Sequence, residues 1–401
     1  MKDETNGTGL RLLNGPAADR WAVNCFLGGA MLYFVCALYS HTLLPQQNAF
    51  QAPVQLLYLC AVALLVGKIL LFTRYTRPQL AAVVLIVGVW LASQWGHFAF
   101  SEEPLAVLVL LAAKDAPLHR VVRPYLAITA VGLAITAGLA VAGVLPMTIA
   151  GVDREGVLRP AFGFYHPNTL AATVLGLFAA WLLLRFERLG WADWAGLLAA
   201  AAFVYKVPNS RMAALAMLAM LAAEALLKFW NRVLEYPAAR LLCCLAPLLT
   251  ALASLAAGTL YRQGTPLWDK LNALSSDRLR LFHLAGQSYG ITLLGKPLND
   301  PEIYALDNLF LRVLYGYGVV LALVVVGLLT LLMLRCVRLR AKPETAVLLG
   351  MTLYAACEGA AASPSYNLAL LLVIGCLCGV PDGQFALLSR PAADEPGDAG
   401  A

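Results

Sequence analysis

Charge is what this chain has least of: charged residues make up 13% of its 401 residues, against 61% hydrophobic. With a mean hydropathy of +0.73, there is too little polar surface to cover a soluble globule, which leaves a membrane protein. Metal-ligand spacings are missing as well. The nine cysteines, Cys25, Cys36, Cys60, Cys243, Cys244, Cys336, Cys357, Cys376 and Cys378, all lie in or beside apolar runs. That placement indicates neither a disulfide framework nor a zinc site. No small-residue cleavage pattern follows the first apolar run, which reads as a retained anchor. No repeat of fixed period and no pair of interrupted apolar runs occurs, which speaks against an inverted-repeat transporter.

What the chain does have is long apolar sequence. A helix needs about 20 apolar residues to cross the hydrocarbon core, and only helices and closed barrels satisfy their backbone there. The runs are continuous, not alternating, so the expected fold is all-α. It is a polytopic integral membrane protein of about twelve helices, at 21–40, 53–72, 79–98, 104–113, 125–146, 167–184, 190–205, 211–228, 240–258, 307–334, 344–362 and 366–384. The fourth is short, and either borrows length from Lys114 to Val122 or lies tilted in the bundle. Three parts follow: an N-terminal segment 1–20, a transmembrane domain 21–384, and a tail 385–401 whose residues from Arg390 have a disorder-type composition.

Basic residues fix the expected orientation. Lys2, Arg11, Arg20, Arg74, Arg77, Lys114, Arg120, Arg123, Arg185, Arg188, Lys228, Arg232, Arg240, Arg335, Arg338, Arg340 and Lys342 all fall on one side of this arrangement. The positive-inside rule makes that side cytoplasmic and places both termini there. The net charge of +6 expresses this bias and gives no reason to expect nucleic acid as a partner. The connections at 41–52, 99–103, 147–166, 206–210, 259–306 and 363–365 are then extracytoplasmic. Only 147–166 and 259–306 are long enough to carry structure of their own.

The long interval holds the first candidate. Ser275-Ser276-Asp277 reads as a helix start, followed by a helix in which Arg278, Leu281, Phe282 and Ala285 share a face. Arg280 stands about 200° away from Arg278 by the 3.6-residue period, so the two should not enter one pocket. Arg278 could grip phosphate oxygens in a bidentate manner or snorkel to headgroups. Pro208-Asn209-Ser210-Arg211 opens another helix on the same side, where free backbone N–H groups and Arg211 make either an anion site or a simple anchor. Asp307 and Asn308 close the interval. Asp307 could act as a general base, or both residues could only cap the next helix. Arg312, one turn on, is a partner for that polar cluster.

Further candidates lie on the same side. Phe162-Gly163-Phe164-Tyr165-His166-Pro167-Asn168 offers aromatic residues for stacking on sugars or for an interfacial belt, with His166 open between ligand, base and turn residue. Glu358 falls inside the eleventh expected span, where an ionisable residue is either functional or paired with an arginine. Glu102-Glu103 could hold a divalent cation or form a solvated turn.

The order of these pieces resembles the bacterial oligosaccharide repeat-unit polymerases, the Wzy-type family within the O-antigen ligase and polymerase superfamily. The resemblance covers roughly residues 125 to 380. It rests on Gly163-Phe164-Tyr165-His166-Pro167-Asn168, Asn209-Ser210-Arg211, Asp277-Arg278-Leu279 with Tyr289-Gly290-Ile291-Thr292-Leu293-Leu294-Gly295, Leu306-Asp307-Asn308 with Tyr317-Gly318, then Glu358 and Ser365-Tyr366-Asn367. It implies a GT-C-like fold and a metal-independent, inverting glycosyltransfer without cofactor, at the outer face of the bacterial plasma membrane. Donor and acceptor would both be oligosaccharides on undecaprenyl diphosphate, with a flippase and a chain-length regulator as possible partners. Arg211 and Arg278 would contact the diphosphate and Asp307 would be the base, while Arg280, His166, Asn168, Tyr165, Asn308, Arg312 and Glu358 would bind substrate. Related ligases carry a histidine before the asparagine at the interval's exit. This chain has Asp307 there, which favours polymerase over ligase. A lipid-linked oligosaccharide flippase is the non-enzymatic alternative, and would spread its charges along a central pathway.

Overall fold

The apolar runs fold into helices, and among the described residues there is no strand, only the isolated bridges Thr42–Phe164 and Thr148–Pro160. The structure is a computed structural model that describes residues 13, 15–47, 51–93, 102–149, 158–230, 232–300, 303 and 306–389. Lys2, Arg11, residues 94–101, the side chain of Glu102 and the tail from Arg390 lie outside them. The helices are α1 Pro16–Ser40, α2 Gln51–Gly67, α3 Arg77–Ser93, α4 Glu102–Ala112, α5 His119–Val141, α6 Pro167–Arg185, α7 Trp191–Lys206, α8 Arg211–Phe229, α9 Pro237–Leu260, α10 Pro266–Leu274, α11 Arg278–Tyr289, α12 Leu309–Arg312, α13 Gly318–Arg338, α14 Lys342–Ala355 and α15 Val373–Leu377. Among the described residues, seven helical stretches, Pro16–Ser40, Gln51–Phe72, His119–Val141, Pro167–Arg188, Arg211–Phe229, Pro237–Leu260 and Leu309–Arg338, are long and apolar enough to cross a membrane.

Two of the expected spans, the eleventh and twelfth, are not continuous helices, and the tenth changes its winding within the stretch Leu309–Arg338. The tenth begins at Leu309, widens into a π turn over Val313–Tyr317 and restarts at Gly318. The eleventh ends at Ala355, seven residues short of 362, so Glu358 lies beyond the helix and not within it. The twelfth becomes a 3₁₀ turn, Leu368–Leu372, and the five-residue α15. Gly379 in a left-handed conformation and Pro381 then turn the chain back, and Gly375 takes the ring of Phe385 against its bare backbone.

The centre of the bundle is α6, whose Ala171, Ala172, Leu175, Ala179 and Ala180 are all buried. In lipid, association between helices rests on close packing more than on apolar burial, and small residues allow backbones to approach. Gly176 of α6 faces the Tyr125 hydroxyl and the backbone of Tyr366. The α8–α14 contact is similar: a Cβ on Gly350 would lie 2.8 Å from the Ala216 carbonyl.

The bundle has two chemically distinct ends. At one, the basic connections touch each other: Lys114 Nζ donates to the Arg74 carbonyl at 2.6 Å, Lys68 Nζ donates to the Lys114 carbonyl, and Arg335 and Arg338 pair with Asp382 at 3.0 and 2.6 Å. The first and last described segments are at this end too, through Leu13 N–H to the Leu71 carbonyl at 3.2 Å and the amides of Leu388 and Ser389 on Glu344 at 3.0 and 2.8 Å. At the other end lie α10, α11 and the entry to α12. There Phe282 packs on Gly258 of α9, and His283 Nδ1 is 2.9 Å from the Gly258 carbonyl.

The long interval is tied down at its exit. Val319 N–H donates to the Thr292 carbonyl at 2.9 Å and Lys296 N–H to the Tyr315 carbonyl at 3.0 Å. Gly318 adopts φ 93, ψ 167, a region open in practice only to glycine. A Cβ there would strike the Leu293 carbonyl and the Gly295 amide. Gly318→Ala should therefore lower stability by about 1–3 kcal/mol or more. Gly327→Ala, which meets no atom within 4 Å, should be neutral or better. Equal thermal unfolding of the two variants in detergent would contradict this account.

Candidate functional site

The polar residues at the non-basic end meet around Arg278. Its placement begins at the α10–α11 corner, where Ser276 (φ 59) and Asp277 (φ 67) both take left-handed conformations. Such residues cost roughly 1–3 kcal/mol each unless their surroundings hold them. Asn272 does the holding: its carbonyl accepts from Asp277 N–H at 2.9 Å, and its amide donates to the Asp277 carboxylate at 2.6 Å. Its side-chain oxygen also accepts from Arg280 N–H at 3.0 Å. Asp277 stands at the cap position of α11 but makes no cap hydrogen bond; Asn272 satisfies that helix start instead.

With the corner fixed, Arg278, Phe282 and Ala285 face inward and are buried. Arg280 turns outward and pairs with Asp277 at 2.7 Å. The expected separation of the two arginines is what the helix produces, and it leaves Arg280 outside the cluster around Arg278. Burial pushes the Asp277 carboxyl up, but hydrogen bonds from Arg280 and Asn272 outweigh it and hold the group below its usual range.

Arg278 closes the end of α14. Its Nε donates to the Cys357 carbonyl at 3.2 Å, Nη1 to the Ser275 carbonyl at 3.4 Å, and Nη2 to Glu358 at 2.6 Å and Asp307 at 3.5 Å. Asn308 Nδ2 donates to the Ala356 carbonyl at 2.5 Å and to Ser254 Oγ at 2.8 Å. The carbonyls of Leu353 and Tyr354 near the helix end accept from the amides of Ala356, Cys357 and Glu358, and the side chains of Arg278 and Asn308 satisfy the carbonyls of the two residues that follow α14. Asn308 is the only one of the interval's closing pair that caps α12, accepting from Leu311 N–H at 2.9 Å. It is fully buried, with both ends of its amide in use.

Glu358 carries the network across the bundle. Asn168 Nδ2 donates to it at 2.9 Å, Arg159 donates to Asn168 Oδ1 at 2.5 Å, and Arg159 Nε donates to the Pro208 carbonyl at 2.9 Å. Pro208 lies three residues before Arg211, which is half-buried at the first position of α8. Burial raises the Glu358 carboxyl above the usual carboxylate range and Asp307 adds to this, against the pull of Arg278 and Arg159. Burial would lower Arg278, but Glu358 and Asp307 raise it above its ordinary value. The guanidinium thus stays charged.

The other expected residues divide by accessibility. Asp307 is half-exposed, with 39% of its side chain open, although it sits beside a buried arginine. Arg312 is exposed, and its Nη1 is 3.6 Å from where a Cβ on Gly359 would be. His166 caps α6: its Nδ1 accepts from Asn168 N–H at 3.0 Å, which makes it a turn residue. Tyr165 is exposed while Phe164 is buried. Glu103 lies 3.5 Å from the Tyr317 hydroxyl.

Two residues escaped the sequence reading. Arg159 is 5% exposed and bridges the 147–166 connection to the α8 start. It carried the signal that singled out Arg211, a basic residue on the side where few occur. Asn272 gave no comparable signal, because its role depends on a chain reversal five residues later. Replacing Arg278 with alanine would leave Glu358 buried and unpaired, at a cost of about 3–5 kcal/mol. A double variant Arg278→Met/Glu358→Met should recover most of that loss in denaturant unfolding, whereas strictly additive losses would contradict the pairing. Comparison with known proteins returns nothing: no protein-family model, curated protein or solved structure matches this chain.

Proposed function

We propose that the chain is a polysaccharide repeat-unit polymerase, a glycosyltransferase that joins oligosaccharides carried on undecaprenyl diphosphate at the outer face of the bacterial plasma membrane. The observation that carries this reading is the half-exposed Asp307 carboxylate held 3.5 Å from the buried guanidinium of Arg278, at the bundle end opposite the basic connections. Glycosyl transfer from a lipid diphosphate asks for a base on the acceptor hydroxyl and for positive charge where the leaving diphosphate develops negative charge.

In this reading Asp307 takes the proton of the acceptor hydroxyl as its oxygen bonds to the anomeric carbon of the donor. The bond from that carbon to the diphosphate oxygen breaks on the opposite face, and the diphosphate leaves with the electron pair. Arg211, with the free N–H groups that open α8, and the exposed Arg312 supply the positive charge. Arg278 is assigned a positioning role, because its donors are already engaged by Cys357, Ser275, Glu358 and Asp307. Tyr165 and Asn168 line the same end, and the exposed ring of Tyr165 suits a sugar face.

Purified protein supplied only with lipid-linked repeat units should lengthen the glycan and release undecaprenyl diphosphate. Asp307→Asn should slow extension about 10²–10⁴-fold, and a chelator should not. Arg280→Ala should extend nearly as wild type. Wild-type rates from Asp307→Asn would sink the assignment of the base, and transfer to a different acceptor alone would mark a ligase.

A further inference from the structure

At the basic end, a cavity of about 580 Å³ opens between the first turn of α5, the end of α6, Pro343 at the start of α14, and Ser389. Its rim carries Arg120, Arg123, Arg185 and Arg188 against a single carboxylate, Glu187. We propose that this cavity holds the phosphate headgroup of an anionic phospholipid, at the face opposite the proposed transferase site and independently of that site's function.

Three features of the cavity argue for a lipid phosphate. Arg120 and Arg123 project from the same turn of α5, are exposed, and make no side-chain hydrogen bond or ion pair among the described residues. Four guanidiniums against Glu187 and the Asp193 that pairs with Arg185 still leave an excess of positive charge that bidentate phosphate contacts would neutralise. Arg185 is partly held, lying over the Trp181 ring at 5.7 Å and donating Nη2 to Asp193 at 3.2 Å, which keeps its guanidinium at the cavity it lines. Finally, the cavity is lined by Leu183, Leu184 and Leu388 as well as by the arginines. Charge and hydrocarbon side by side match an amphiphile, whereas an inorganic anion would use only the arginines. Basic pockets between helices at the membrane surface recognise phospholipid headgroups through this combination.

The test is native mass spectrometry of the full chain in detergent, titrated with phosphatidylglycerol or with phosphatidylcholine as the neutral counterpart. One phosphatidylglycerol should be retained in preference to phosphatidylcholine, and Arg120→Gln/Arg123→Gln should weaken its retention about tenfold or more. Arg232→Gln/Arg240→Gln, exposed at the same end but away from the cavity, should leave retention unchanged. An equal loss in both double variants would reduce the effect to general surface charge and overturn the proposal. Displacement of the lipid by millimolar inorganic phosphate would identify a free anion as the ligand instead. Lipid bound only by a chain cut after Ser389 would make the acidic residues Asp394, Glu395 and Asp398 the occupant, and would overturn it equally.

Discussion

The polar end of this bundle depends on one guanidinium. Arg278 ties three separate breaks in the helical architecture together: the α10–α11 corner through Ser275, the end of α14 through Cys357, and the entry to α12 through Asp307. Each break leaves backbone carbonyls or a carboxylate that call for donors. A single planar side chain with five donors can serve them together, which an ammonium cannot. Glu358 keeps the cation buried, and neither partner is tolerable there without the other. The arrangement therefore acts as a rigid post, against which Asp307 is held while remaining half-exposed.

That rigidity extends across the bundle through Asn168 and Arg159 to the Pro208 carbonyl. Two helix starts, α6 and α8, are consequently fixed relative to the base candidate without either arginine of that chain having to move. A transfer reaction gains most from such preorganisation, because donors aimed in advance at developing charge need no rearrangement during the reaction. The opposite end is different in kind. Its basic residues lie on many short connections, several pair with carbonyls or Asp382, and the remaining excess gathers at the cavity beside Arg185.

Much of the fold was legible in the apolar runs, since α1 to α9 fall within a few residues of their expected limits apart from the N-terminal extension of α5. The tenth also has a matching helical stretch, Leu309–Arg338, but the last two spans were not legible, for a physical reason. Continuous hydrophobicity from 344 to 362 and from 366 to 384 says nothing about where a helix stops when the carbonyls just beyond its end are satisfied by side chains remote in sequence. Asn308 and Arg278 do this for Ala356 and Cys357 after α14. Arg278, Asp307 and Glu358 were singled out from their residue types and positions, yet their mutual contact was not, because it spans 80 residues of sequence. Arg159 was overlooked although its side of the chain made it conspicuous. Nor did the residue type and position of Arg278 reveal that its guanidinium is engaged by four protein partners.

The most direct measurement is an electron cryomicroscopy structure of the protein with undecaprenyl diphosphate bound. The account predicts phosphate oxygens at Arg211 and the N-terminal amides of α8, near the half-exposed Asp307, with the Arg278–Glu358 pair intact. Phosphates seated among the arginines of the basic end, or taken up by an Arg278 released from Glu358, would contradict it.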